Sequence, residues 1–340
     1  MKKVLVTGGL GYIGSHTVVN LVESGYTPVI VDNLSNSELK VLDALEQLCN
    51  TKLSFYKEDL RNTDAIDKIF DAEKVDAVIH FAAFKAVGES VSEPVKYYDN
   101  NIGSLLTLLD LMKKHEVKHI IFSSSCTVYG QPKDLPVTEA SPYKTAESPY
   151  GYTKQVCETI LADISKAQAD LNVVRLRYFN PIGAHHSALI GELPIGTPNN
   201  LVPFITQTAA GIHPKLTVFG SDYNTKDGSC VRDFIHVMDL AAAHVKSLDL
   251  ILEHRASSNC ISLNLGTGKG ISVLEAISAF EKVSGRKLNY TIGERREGDI
   301  EQIYAATDYA EKVLAWKTKF GIEEAMLHAW NWQKRISKID

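Results

Sequence analysis

The sequence predicts an α/β protein, a doubly wound parallel sheet carrying a second, smaller mixed α/β domain. Three observations predict it. Short β-branched runs alternate with longer amphipathic stretches through the first half of the chain, as repeated βαβ units do. A glycine-rich turn follows the first of those runs and opens a helix-forming stretch. After Tyr178 the alternation gives way to segments rich in Pro, Gly and Asn, which marks a change of architecture.

Taken in order, strands are predicted at residues 3–7, 28–32, 53–57, 77–82, 119–123 and 172–177, each an apolar run short enough for a buried parallel strand. Between the fourth and fifth, Val95, Tyr98, Ile102, Leu105, Leu109 and Met112 recur at helical spacing, so residues 94–115 read as one long helix with a single buried face. Pro94 suits its first turn. Residues 181–200 read as a loop that lines a site, 233–252 as a helix-bearing segment, and 260–265 as a strand ending at Gly266-Thr267-Gly268. The expected division is a first domain over residues 1–178, joined again by a segment near 233–265, and a second over 179–340.

The chain has 340 residues, 44% of them hydrophobic and 23% charged, so core burial is not limiting and disordered or collagenous classes are excluded. A net charge of -5 argues against a nucleic-acid or anionic-membrane partner, which would need a basic excess. The five cysteines, Cys49, Cys126, Cys157, Cys230 and Cys260, are odd in number and scattered, as in a reducing compartment. The apolar run Val4-Leu5-Val6 stops too soon for a signal peptide, and no other approaches the ~20 residues of a membrane span, so a cytoplasmic protein is expected.

Thr7-Gly8-Gly9-Leu10-Gly11-Tyr12-Ile13-Gly14 sits where a Rossmann-type fold binds a dinucleotide. Gly8 suits the tight turn, Gly11 the close approach of backbone to a pyrophosphate, and Gly14 the packing of helix on strand. Asp32 ends the second strand, where a carboxylate accepts from both ribose hydroxyls and repels a 2′-phosphate. Asn33 beside it carries no charge to accept such a phosphate, so NAD is expected over NADP.

Of the 14 tyrosines, two have a lysine four positions on. Gly130 and Pro132 separate Tyr129 from Lys133 and break any helix there. Tyr150 and Lys154 instead follow Ser148-Pro149, an N-cap and first-turn proline, so they share one helix face. A phenol titrates near ~10, so a base near neutrality needs about three units of depression, much of it expected from the Lys154 ammonium. Ser125, at the carboxyl end of the fifth strand, is the natural third member, relaying a proton between phenol and substrate hydroxyl.

Thr-Gly-x-x-Gly-x-x-Gly, Ser125 and Tyr150-x-x-x-Lys154 together resemble the extended short-chain dehydrogenase/reductases. His80-Phe81-Ala82-Ala83, Lys85-Ala86-Val87-Gly88-Glu89-Ser90, Tyr97-Tyr98-Asp99-Asn100-Asn101, Arg177-Tyr178-Phe179-Asn180-Pro181, Pro198-Asn199-Asn200-Leu201, residues 231–237 and Arg295-Arg296-Glu297-Gly298-Asp299 resemble, within them, the UDP-glucose 4-epimerase family. That resemblance implies NAD as cofactor, UDP-glucose and UDP-galactose as substrates, and a homodimer built through helices such as residues 94–115. It makes Tyr150 the base, Ser125 its partner, and Lys154 both phenol modulator and ribose ligand. It gives Tyr12, Ile13, Asp32, Asn33, Asp59, Phe81, Ala82, Lys85, Asn100, Ser123 and Tyr178 to the cofactor. To the UDP-sugar it gives Phe179, Asn180, Asn200, Leu201, Phe219, Arg232, Arg296, Asp299 and Ile303. Phe234 stands where some relatives have Tyr.

A sugar-nucleotide 4,6-dehydratase would share the oxidation but needs an acid/base pair after the catalytic hydroxyl, where this chain has Cys126 and Thr127. A non-catalytic NAD sensor on the same fold has no need of Tyr150 and Lys154. His185-His186 lacks the Cys or carboxylate company of a metal site and reads as loop, so no metal is expected. Ile303, between a bulky aromatic and a small residue in size, is the expected gate against N-acetyl groups, with Tyr304 as the alternative should the chain slip by one.

Overall fold

A computed structural model describes residues 1–296 and 299–339. Glu297 and Gly298, part of the run singled out above, and Asp340 lie outside the described residues. The first layer follows the predicted alternation: β1 (Lys3–Thr7), α1 (Tyr12–Glu23), β2 (Thr27–Val31), α2 (Lys40–Cys49), β3 (Ser54–Tyr56), α3 (Thr63–Glu73), β4 (Ala77–His80), α4 (Val87–Ser92), α5 (Pro94–Lys114), β5 (His119–Ser125), α6 (Pro149–Ala167) and β6 (Asn172–Tyr178). Then come β7 (Asn180–Ile182), α7 (Leu201–Ala209), β8 (Leu216–Phe219), β9 (Val231–Arg232), β10 (Phe234–His236), α8 (Val237–Leu252) and β11 (Cys260–Leu265). The chain closes with β12 (Ile271–Ser272), α9 (Val273–Ser284), β13 (Tyr290–Gly293), β14 (Gln302–Ile303), α10 (Asp308–Leu314) and α11 (Ile322–Ser337).

Seven parallel strands form the main sheet in the order β11-β6-β5-β4-β1-β2-β3. Side chains alternate across it. Val4, Val6, Ile30, Ile79, Ile121 and Val174 face one core with α1 and α8 residues such as Val18 and Leu240, while Leu5, Val29, Val78, Ile120 and Val173 face the other with Ile66, Leu105 and Leu161. The sheet is therefore doubly wound, and β11 reaches it after α8 by lying beside β6. A third core, around Ile205, Val218, Phe280, Met326 and Trp330, holds the smaller elements together.

Two expectations are corrected. Strand β4 stops at His80, whereas β5 runs on to Ser125 because β6 accompanies it, Ser125 opposite Tyr178. In α5 the buried face is Tyr97, Asn101, Ser104, Leu105, Leu108 and Met112, and Val95 is 76% exposed. Asn101 explains the rotation. Its amide accepts from Phe84 N (2.8 Å) and donates to Phe84 O (3.0 Å) and Thr153 Oγ1 (3.1 Å), so a polar residue is buried where the apolar pattern placed none.

Candidate active site

Strands β1 and β4 are neighbours whose chains leave toward opposite faces, which opens a crevice at their carboxyl ends. Gly8 turns there with φ 68°, and a Cβ on it would stand 2.9 Å from Ala82 N. On Gly14 a Cβ would stand 2.3 Å from Gly8 O, so the first turn of α1 rests directly on the glycine turn. Gly11 caps α1 without a side-chain bond, and no acidic residue occupies the first turn, so the helix N-terminus faces the crevice as an anion seat. A cradle that side chains would fill, beside an open helix end and an acidic strand end, fits a dinucleotide.

Asp32, 7% exposed, does more than the sequence reading asked of it. Its Oδ2 accepts from Leu10 N (3.0 Å), and its Oδ1 from Leu34 N (2.9 Å) and Ser37 Oγ (2.7 Å). With about four acceptor sites on a carboxylate, about one is left for a ribose hydroxyl, on Oδ2. Asp32 thus also ties the glycine turn to the end of β2. Asn33 donates to Asp59 Oδ2 (3.0 Å), and hydrogen bonds from Arg61 hold the Asp59 carboxyl well below the usual carboxylate range. Arg61 is committed to Asp59 and Asp99. Ala82 N donates to Thr7 Oγ1 (3.3 Å), the Phe81 ring lies 4.7 Å from that of His244, and Asn100 donates to Asn101 Oδ1 (3.0 Å). Ile13 packs on the core beneath α1, and Tyr12 donates to Gly183 O (2.7 Å).

The catalytic candidates meet where β5 ends. Ser148 caps α6 by accepting from Gly151 N (3.2 Å), with Pro149 at the first helical position. That start aims Tyr150 at Ser125, whose hydroxyl is close enough to act on the phenol. One turn on, Lys154 Nζ donates to Ser123 O (2.7 Å), and it lies 6.0 Å from the Tyr150 ring centre. Ser123 Oγ is bonded to the Tyr178 hydroxyl. Burial pushes the Tyr150 phenol up to about 12, with the Ser125 hydroxyl pulling it down, and burial lowers Lys154 to about 8. In the protein alone desolvation prevails, and what lowers the phenol is Ser125 rather than Lys154, so the depression expected from Lys154 is not seen there. Tyr129 is structural, donating to Asn264 Oδ1 (2.6 Å) and accepting from Arg177 (3.0 Å).

Behind this cluster stands a buried pair that the sequence reading missed. Glu158, one turn beyond Lys154, receives Arg177 Nε (2.9 Å) and a second guanidinium nitrogen (2.7 Å), the Tyr143 hydroxyl (2.5 Å) and the Ser124 hydroxyl. Burial alone would raise its carboxyl, but the hydrogen bonds and charge of Arg177 hold it low. Spacing from Lys154 was the available signal, since i and i+4 share a face.

On the far side, Arg232 and Arg296 converge on Asp299, at 3.7 Å and 2.7 Å from its Oδ1. The Arg296 guanidinium also lies 5.6 Å from the Phe219 ring. Asn180 starts β7 beside Phe234, and Asn200 and Leu201 open α7. Phe234 is buried in the third core, where a phenyl ring needs no partner. Ile303 pairs with Arg232 in the β9–β14 register and packs with Cys126, Val128 and Phe179, whereas Tyr304 turns the other way, against Gly270. The chain therefore does not make the slip that would exchange them. Asp233, also missed, accepts from Thr267 N (2.8 Å), Gly268 N (3.1 Å) and Ala305 N (3.2 Å), joining the ends of β10, β11 and β14.

The family model described as GDP-mannose 4,6 dehydratase matches residues 5–328. The chain is 52% identical over 334 residues to UDP-glucose 4-epimerase 2 of Arabidopsis thaliana, covering 97% of this chain and 95% of that protein. Among solved structures it is similar to UDP-glucose-4-epimerase from Stenotrophomonas maltophila with bound NAD and formylated UDP-arabinopyranose, at 45% identity and TM-score 0.96, with 99% of each chain covered. It is likewise similar to UDP-glucose 4-epimerase from Bifidobacterium longum in complex with NAD+ and UDP, at 46% identity and TM-score 0.94, with 98% of each covered.

Proposed function

The chain belongs to the GDP-mannose 4,6 dehydratase family and, within it, to the UDP-glucose 4-epimerases of the extended short-chain dehydrogenase/reductase fold, and we propose the part each site residue plays in their reaction. It is an isomerase that interconverts UDP-glucose and UDP-galactose with NAD. The observation that carries the residue assignment is the meeting of Tyr150, Ser125 and Lys154 at the end of β5, beside a dinucleotide cradle.

The inverted carbon, C4, bears no acidic proton, so inversion proceeds through a ketone. NAD, when bound in its oxidised form, supplies a reversible hydride acceptor and a positive charge. Tyr150 takes the proton of the C4 hydroxyl, directly or along the Ser125 hydroxyl, and gives it back after the sugar has turned. Since burial holds the phenol near 12, its ionisation relies on positive charge near it, and the Lys154 ammonium, anchored on Ser123 O, is the protein's share. Arg232 and Arg296 hold the diphosphate by charge-assisted bonds while the sugar rotates about its link to it. Residues 1–178, with 233–265 returning to them, hold NAD, and 179–340 hold the UDP-sugar. Cys126, a buried thiol pushed up to about 12, is poorly matched to a dehydratase's acid/base step.

Tyr152, 50% exposed on α6, and Val95 and Leu106, 76% and 45% exposed on α5, support pairing with a second copy through these helices. Among the described residues no helix is long and apolar enough to cross a membrane; the five cysteines, all unpaired, support work in a reducing compartment such as the cytoplasm. Incubating the pure protein with UDP-galactose and identifying the products tests the activity, and nucleotide released on denaturation should be NAD rather than NADP. UDP-N-acetyl sugars should be slow substrates. If Ile303→Gly left the kcat/KM ratio of the two substrate pairs unmoved, Ile303 would not be the gate.

A further inference from the structure

Glu192 lies in the loop between β7 and α7, outside every residue assigned above, yet it touches both halves of the cleft. Its Oε1 accepts from Lys85 Nζ (3.1 Å), which belongs to the turn between β4 and α4, and from Asn200 Nδ2 (2.5 Å), at the start of α7. Asn200 occupies the N-cap position of α7 and makes no side-chain cap bond; its Nδ2 donates to Glu192. The backbone under Glu192 is held firmly. Ala184 bridges Gly191, His185 N donates to Ile190 O (3.1 Å), and Trp332 Nε1 from α11 donates to Glu192 O (2.9 Å). Gly191 lies flat on the same indole, where a Cβ would come within 2.5 Å of the ring. The Glu192 side chain is only 12% exposed, and Lys85 Nζ also stands 6.0 Å from the ring centre of Tyr12 in the first turn of α1.

We propose that Glu192 is a positioning residue that clasps the two ligand sites together, holding Lys85 for the cofactor and Asn200 for the nucleotide-sugar with one carboxylate oxygen. The inference rests on the roles given to Lys85 and Asn200 above. Because one rigidly held anion orients both donors, cofactor retention and UDP-sugar binding depend on the same group. A carboxamide in its place would still accept from Asn200 but lose the charge that holds Lys85.

The test uses the NAD-loaded protein, after wild-type turnover of UDP-galactose has been measured; no wild-type turnover would refute the functional reading, separately from the clasp. Glu192→Gln should keep KM for UDP-galactose within about twofold and lose bound NAD faster on gel filtration. Glu192→Ala should also raise KM about tenfold with kcat, at saturating NAD, within about threefold. Lys85→Met should reproduce the NAD loss of Glu192→Gln, and the double variant should be no worse than either alone. A purely structural role would lower kcat and thermal stability together and give additive losses in the double variant. That outcome, tighter binding of NAD or UDP-galactose in Glu192→Ala, or unchanged retention and KM, overturns the clasp.

Discussion

The two walls of the cleft are built on opposite plans. On the catalytic wall the charges are buried and bonded to one another: Glu158 and Arg177 side chains are 0% and 4% exposed, and Lys154 is anchored on a strand carbonyl. On the facing wall Arg296 is 56% exposed, sits on a loop after β13, and among the described residues bonds Asp299 alone. Bond-making chemistry needs atoms held in place, and a dense network on helix and strand supplies that. A grip on a diphosphate needs charge within reach and a surface that can let go.

Four substitutions break or sharpen that contrast. Tyr150→Phe should cut kcat by about 10³-fold or more while leaving NAD content unchanged, measured by turnover and by nucleotide released on denaturation. Retention of a tenth of the wild-type rate would end the assignment of the base. Glu158→Gln should leave Arg177 charged and unmatched, costing about 3 kcal/mol in urea unfolding. An unchanged midpoint would mean that the wall is not held by this pair.

Lys154→Met should lose activity but gain stability. The folded lysine titrates near 8 against an ordinary 10.5, so the unfolded chain binds more protons between those values and wild-type stability rises with pH there. The penalty is therefore full below pH 8, and removing it should stabilise by up to about 3 kcal/mol at pH 7, with the gain fading toward pH 10.5. Thermal scans at pH 7 and 10 check the sign. Arg296→Ala should raise KM for UDP-galactose about tenfold and shift unfolding by less than about 0.5 kcal/mol, as a surface pair does. A large loss of stability would show the far wall to be built like the near one.

What lay in the sequence is local. Gly8, Gly11 and Gly14 are recognised because a turn and a helix start impose backbone and packing demands within eight residues. Ser148-Pro149 sets the start of α6, and four residues of helix put Tyr150 and Lys154 on one face, so that pair was legible. The strands of the first layer show as apolar runs between turn signals for the same reason. The register of β9 and β14, which turns Ile303 inward and Tyr304 away, joins segments about seventy residues apart, and only the folded chain chose it. The same holds for Asp32, whose bonds to Leu10 and Ser37 limit what its carboxylate has left to offer, and for Glu158, whose partner Arg177 comes from a strand rather than its own helix. Burial of Tyr150 and Lys154, and with it the direction of both pKa shifts, was decided there too, because desolvation depends on everything packed around a group and not on its neighbours in sequence.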